Sequence, residues 1–402
     1  MFDTIFIGMS GLQGYSQGLK VISNNVTNLN TPGFKSSSLQ FTDAFYQQGG
    51  LSGGYTQGAG QQQYGTGLST LATQLNFKAG ETRTTGNALD LAISGDGLFV
   101  LQDKETDKQS FTRAGQFEFD KDGALVTTTS GKYVMGHASG NNSGDLSRIT
   151  LSDLRINAAH ATSLVSLTGN LSSTATDFDV SNVKLIDAVG GEHAVRLNFR
   201  SRSSSQAGGW TVTVFDGETS VASGDILFTG SGPDPAHNSL SFSYTPAGGT
   251  AFDVKLDLSK GVTSFAAGST STLAVGSQDG YVAGTLSDVT FDADGKLALN
   301  YTNGQKTKGA SLALATFESN LGLEQAGGGE LVATGAQKAR IGTPGEQGVG
   351  SIQSGQVELS NVDLSAEFSD LIIMQRGYQA SSHMISTAND MIQELFDLKG
   401  HR

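Results

Sequence analysis

No cysteine occurs in the 402 residues, which excludes disulfides, thiolate catalysis and cysteine-held metals. Charged residues make up only 16% of the chain, too few for a disordered polyelectrolyte. The net charge is −13 and no Lys/Arg-rich run is present, so binding to nucleic acid by phosphate neutralisation is not expected. No stretch of 18 apolar residues exists, so no membrane-inserted helix is expected. The opening residues, MFDTIFIGMSGLQGYSQGLK, have neither the positive region nor the continuous apolar core of a secretory leader, so a cleaved signal peptide is not expected. Hydrophobic residues reach only 37%; in their place stand 54 glycines and many Ser, Thr, Asn and Gln. That composition suits β-sheet with many turns and modest cores.

Catalytic patterns are missing too. The histidines (His137, His160, His193, His237, His383, His401) show no ligand spacing. No phosphate loop, dinucleotide fingerprint or nucleophile elbow is present. Asp120-Lys121-Asp122-Gly123 and Asp292-Ala293-Asp294-Gly295 resemble calcium loops but lack the remaining oxygen ligands and flanking helices, so they read as hairpin turns. No catalytic, cofactor or metal site is expected. A secreted β-rich carbohydrate enzyme or adhesin is the remote alternative, since a carboxylate pair needs only two acids.

What is present lies first at the two ends. Ile5, Met9, Leu12, Leu19, Ile22, Val26 and Leu29 form a heptad seam that stops at Pro32-Gly33. Leu371, Met374, Tyr378, Ser381, Ile385, Ala388, Ile392 and Leu395 form a second, with gaps alternating between 3 and 4. Such helices would be roughly 40 and 50 Å long. Gly8, Gly11, Gly14 and Gly18 burden the first, at up to about 1 kcal/mol each. The sequence therefore predicts ends that are disordered in the monomer and become helical on assembly.

The fold class expected is α+β, mainly β: long terminal helices forming a coiled-coil layer, with two nested β domains between them. Residues 1–30 and 364–402 make the helical domain, and 31–75 a Gly/Gln-rich linking segment that includes Phe41, Phe45, Tyr46, Tyr55 and Tyr64. Residues 76–145 with 285–363 make an inner β domain, and 146–284 an inserted outer one.

The segment ISNNVTNLNTPGFKSSSLQF, carrying Asn24, Asn25, Asn28, Thr31, Gly33, Phe34, Lys35 and Phe41, resembles the N-terminal signature of the rod and hook group of bacterial flagellar axial proteins. Thr27 stands where that family more often has Ala. GNALDLAISGDGLFVLQD, FTRAGQFEFDKDGALVT and SGQVELSNVDLSAEFSDLIIMQRGYQASSHMISTANDMIQELFDL are similar to the family's later blocks, as are Asn320, Gly322 and Leu323. The insertion of about 140 residues resembles the hook type, with a rod or junction type as the alternative. The resemblance implies a helical homopolymer whose paired termini line an inner tube. It also implies contacts with the rod, the hook cap, the hook–filament junction proteins and the flagellar export apparatus, and an extracellular place in the flagellum.

Overall fold

The computed structural model describes residues 2–44, 46–48, 63–65, 67–138, 145–202, 206–318, 322–334, 338–346 and 348–400. Most of the Gly/Gln-rich tract, Phe45, Tyr55, Asn320 and His401 lie outside them. The chain is mainly β, with two long helices, α1 (Phe2–Thr27) and α2 (Leu364–Gly400). It divides into two compact units. One comprises residues 1–152, 289–298 and 308–402, the other 153–288 and 299–307.

In the first unit, both termini are helical within a single chain and pack on each other. The strands Ser37–Asp43 and Leu68–Leu75 form an antiparallel ribbon that returns along α1. The amide of Leu68 donates to Ser10 Oγ at 3.1 Å, and the rings of Tyr15 and Phe41 lie 6.0 Å apart. Within the expected linker, residues 37–43 and 68–75 are therefore paired strands, and Phe41 and Leu68 find a floor on the helix at Gly14.

The β part of this unit is an antiparallel sheet in the order Tyr133–His137, Leu98–Gln102, Gln109–Thr112, Glu330–Ala333, Leu323–Gly327. Leu98, Val100, Phe111, Met135, Ala313 and Ala315 close its core. Both Asp-x-Asp-Gly segments are turns. Asp120 Oδ1 accepts from the amides of Asp122 and Ala124, with Gly123 at φ +79°. Asp292 Oδ1 accepts from the Lys296 amide at 2.8 Å, with Gly295 at φ +69°. In each turn Oδ1 of the first aspartate holds the turn, and its Oδ2 accepts from a lysine, Lys104 at Asp120 and Lys308 at Asp292.

The second unit is a pair of sheets around one core. An antiparallel meander runs Asp177–Ile186, Glu192–Ser201, Gly209–Asp216, Thr219–Thr229. The other sheet carries Ser239–Tyr244, Phe252–Asp257 and Leu164–Asn170, the last two in parallel. Inward side chains alternate along each strand, as period-two patterning requires. Trp210, Phe199 and Tyr244, all 2% exposed or less, fill the space between. Burial pushes the Tyr244 hydroxyl up to about 12, helped by the Asp216 carboxylate that accepts its hydrogen bond.

Candidate functional site

The two helices run antiparallel: Gly8 lies against Ile385, Gly11 against Ser381, Tyr15 against Gly377, Gly18 against Met374 and Asn25 against Glu367. The buried positions of α1 are Gly8, Gly11, Gly14, Gly18, Ile22 and Asn25, spaced by 3 or 4 residues. A Cβ at Gly8 would stand 2.7 Å from Ile385 Cγ1, and one at Gly377 2.4 Å from Tyr15 Cζ. Gly14 faces the ribbon instead, where a Cβ would lie 2.7 Å from Leu68 Cδ2. The glycines that burden an isolated helix are thus the contact surface. Their loss of about 1 kcal/mol each in propensity is offset by the close packing that a missing side chain allows.

This moves the inner face of α1 by about one residue from its predicted seam, while on α2 Met374, Ser381 and Ile385 of the predicted seam face α1. Ile22 is buried, while Ile5, Leu12, Leu19, Val26 and Leu29 are half-buried along the flank and Met9 is 49% exposed. On α2, Ala388 is buried and Leu371, Met374, Ile385 and Ile392 are half-buried. Tyr378 and Leu395 point outward, at 42% and 50% exposure. The physical reason is distance: glycine files let two backbones approach, and large residues at those positions would hold them apart.

Because α2 has 37 residues and α1 has 26, the last ten residues of α2 extend past the start of α1. Met391, Phe396 and Leu398 on that extension are exposed at 52%, 68% and 78%. Phe6 on α1 and Phe368, Ile372 and Ile373 near the start of α2 are exposed by half or more. Single exposed apolar residues are ordinary, but this many on one helix pair mark an interaction surface.

The motif after α1 forms a knot. Asn25, 1% exposed, accepts from the Ser37 amide at 3.0 Å and donates to the Ser37 carbonyl and to Glu367 Oε1, both at 2.8 Å. One carboxamide thus joins α1, the ribbon and α2. Burial pushes the Glu367 carboxyl up; the Asn25 hydrogen bond opposes that, and Asp370 and Asp363 reinforce it. Asn28 donates to the Asn24 carbonyl and accepts from Thr31 Oγ1, closing the helix end. Gly33 is at φ +68°, and a Cβ there would lie 2.3 Å from the Ala114 nitrogen, so glycine is required twice over. Phe34 is buried.

Lys35 leads to groups that local spacing gave no sign of. Its Nζ donates to Glu358 Oε1 at 2.6 Å and to the Lys78 carbonyl at 2.9 Å. Glu358 also accepts from Arg113 Nε and from the Gly80 amide. Arg113 fans its remaining donors onto the carbonyls of Ile93, Gly95 and Gly97. Burial alone would raise the Glu358 carboxyl, but the charge and hydrogen bond of Arg113, with those of Lys35 and Gly80, hold it below its ordinary value. Asn361 completes the weave, accepting from the Ser36 amide and donating to the carbonyls of Asn76 and Lys78.

Three family models match this chain. They are "Flagella basal body rod protein" over residues 5–35, "Flagellar hook protein FlgE/F/G D1 domain" over 92–173 and "Flagellar basal body rod FlgEFG protein C-terminal" over 353–398. The flagellar hook protein FlgE of Borreliella burgdorferi is 30% identical, covering 99% of this chain and all of the relative. That of Treponema pallidum is 31% identical, with the same coverage. The crystal structure of the Helicobacter pylori flagellar hook protein FlgE2 is similar in fold, with a TM-score of 0.51, 14% identity, and coverage of 67% of this chain and 99% of that one. By its full-length similarity to these relatives, the chain belongs to the flagellar hook protein family.

Proposed function

We propose that this chain is the structural subunit of a bacterial flagellar hook, polymerising through its terminal helices into a bendable tube that carries motor torque. The observation that carries the reading is the apolar surface left in solvent on a helix pair whose mutual contact is already filled. Each large side chain there contributes roughly 1.5–3 kcal/mol when fully buried. A head-to-tail contact between identical copies that does not close into a ring builds a helical polymer. The predicted seam residues on the flank, Ile5, Leu12, Leu19, Val26, Leu29, Leu371 and Ile392, and the outward Met9, Tyr378 and Leu395 belong to that surface together with Phe6, Phe396 and Leu398.

The finer parts of the proposal rest on family membership and composition. The helical layer comprises 1–30 and 364–402, and 146–284 is the inserted β domain. Surfaces rich in Ser, Thr and Gly make smaller, wetter contacts that can slide as the tube bends. Partners are other copies, then the rod, the hook cap, the junction proteins and the flagellar export apparatus. The subunit works outside the cell, and no catalytic step is assigned to it.

The test is electron microscopy of the full chain concentrated under salting-out conditions, which strengthen apolar association. Curved tubes are expected, and their loss in Leu395→Ser/Phe396→Ser while Trp210 fluorescence stays that of the parent. Straight stiff tubes would favour a rod-type subunit. Stable monomers with folded helices would overturn assembly altogether.

A further inference from the structure

We propose that Lys35, Glu358 and Arg113 form a latch that fixes the direction in which the helix pair leaves the β part of its unit. Bending of the tube is then taken up between copies and not at this joint. The inference rests on the hook reading and deepens it, by assigning which part of the subunit stays stiff.

Three segments meet at the joint: 33–36, which runs from α1 into the ribbon, and 76–81 and 358–363, which pass between the helix layer and the β part. A hinge would leave such segments exposed and thinly bonded. Here they are sewn together. The Gly33 amide donates to the Glu358 carbonyl, the Leu359 amide to the Glu81 carbonyl, and Asn361 bridges the first two segments. Glu358 then ties the bundle to the β part. Its two carboxylate oxygens take Lys35 from the α1 side and Arg113 from the sheet side, with all three residues 5% exposed or less. Arg113 is itself anchored by the carbonyls of the loop between strands Leu91–Ser94 and Leu98–Gln102.

Stability alone is a poor reason for such a cluster. Buried charges lose hydration, and well-packed apolar residues commonly serve a core as well or better. What charges add is direction, because a carboxylate accepting from two fixed donors admits one arrangement while apolar surfaces admit many.

The absence of cysteine makes the test direct, since two introduced cysteines are the only labelling sites. Gln375→Cys on α2 and Glu118→Cys on the β part carry spin labels, and labelled chains are diluted into tubes of unlabelled parent. The parent should give one narrow inter-label distance. Lys35→Met leaves Glu358 and Arg113 as a balanced pair and should broaden the distance roughly twofold. Lys35→Arg keeps the charge and should restore the narrow distance. An unchanged width in Lys35→Met would overturn the latch. Refusal of Lys35→Met by parent tubes counts for it, provided Lys35→Arg is accepted and hydrogen exchange of strand Leu98–Gln102 matches the parent. If the parent itself forms no tubes, the hook reading fails, and the same label pair on single chains still tests the latch.

Discussion

Gly377 gives the sharpest test of how the helices meet. Replacing it with Ala removes a helix-interior glycine, which by itself stabilises α2 by about 1 kcal/mol. The added Cβ, however, falls 2.4, 2.5 and 2.8 Å from three atoms of the Tyr15 ring. That ring also leans on Phe41, so its retreat disturbs the ribbon. Overpacking of this kind costs typically about 1–3 kcal/mol, leaving Gly377→Ala net unfavourable by up to about 2 kcal/mol. Read as the equilibrium between docked and undocked helices, measured by hydrogen exchange of α2, where about 1.4 kcal/mol is tenfold, Gly377→Ala should weaken docking by as much as about thirtyfold. In a Tyr15→Ala background the clash is gone and only propensity remains. There the same substitution should strengthen docking by about fivefold. The reversal of sign is the diagnostic. If Gly377→Ala promotes docking equally in both backgrounds, the helices do not meet at Gly377 and the antiparallel register is wrong.

Glu358→Gln leaves Lys35 and Arg113 buried without their counter-charge and should destabilise the first unit by about 3–5 kcal/mol in urea unfolding, with Trp210 in the second unit unaffected. Glu358 sits below its ordinary 4.5 when folded, so its contribution is present above 4.5 and is lost as pH falls through the folded value. Glu367 is raised, so its contribution runs the other way, present below 4.5 and lost as pH rises through its folded value. Acid unfolding of the first unit should therefore contain a destabilising step below pH 4.5 that belongs to Glu358 and is absent in Glu358→Gln. Gly33→Ala meets both a positive φ and the Ala114 backbone, and should prevent the helix pair from docking, seen as lost hydrogen-exchange protection at Ser36 and Ser37. Asn25→Ala removes three hydrogen bonds at a buried point and should cost about 1–3 kcal/mol, which Asn25→Ser does not restore because a hydroxyl has one donor, whereas the carboxamide donates to both the Ser37 carbonyl and Glu367 while accepting from the Ser37 amide.

The β character, the Asp-Gly turns, the two terminal helices and the motif around Asn25 and Lys35 were legible in the sequence. The first three depend on local chemistry, namely period-two alternation, positive-φ glycines and heptad spacing, whereas the motif was legible through its resemblance to the flagellar rod and hook group. The helix register was not legible, because spacing rules count large apolar residues as inward. Here Gly8, Gly11 and Gly18 are inward, and only the identity of the facing residues, Ile385, Ser381 and Met374, reveals it. Glu358 was invisible for another reason. Its partners Lys35 and Arg113 are 323 and 245 residues away in the chain, and an isolated glutamate before a helix carries no mark of two cations.

The surplus length of α2 has a consequence for any tube built from these copies. In the proposed tube, a projection without a partner among the described residues of its own chain would be seated in another copy, so that successive copies interlock like toothed masonry and no flat seam crosses the wall. A crack then has to break helices or extract them along their length, and a wall of that kind can flex on every revolution without parting.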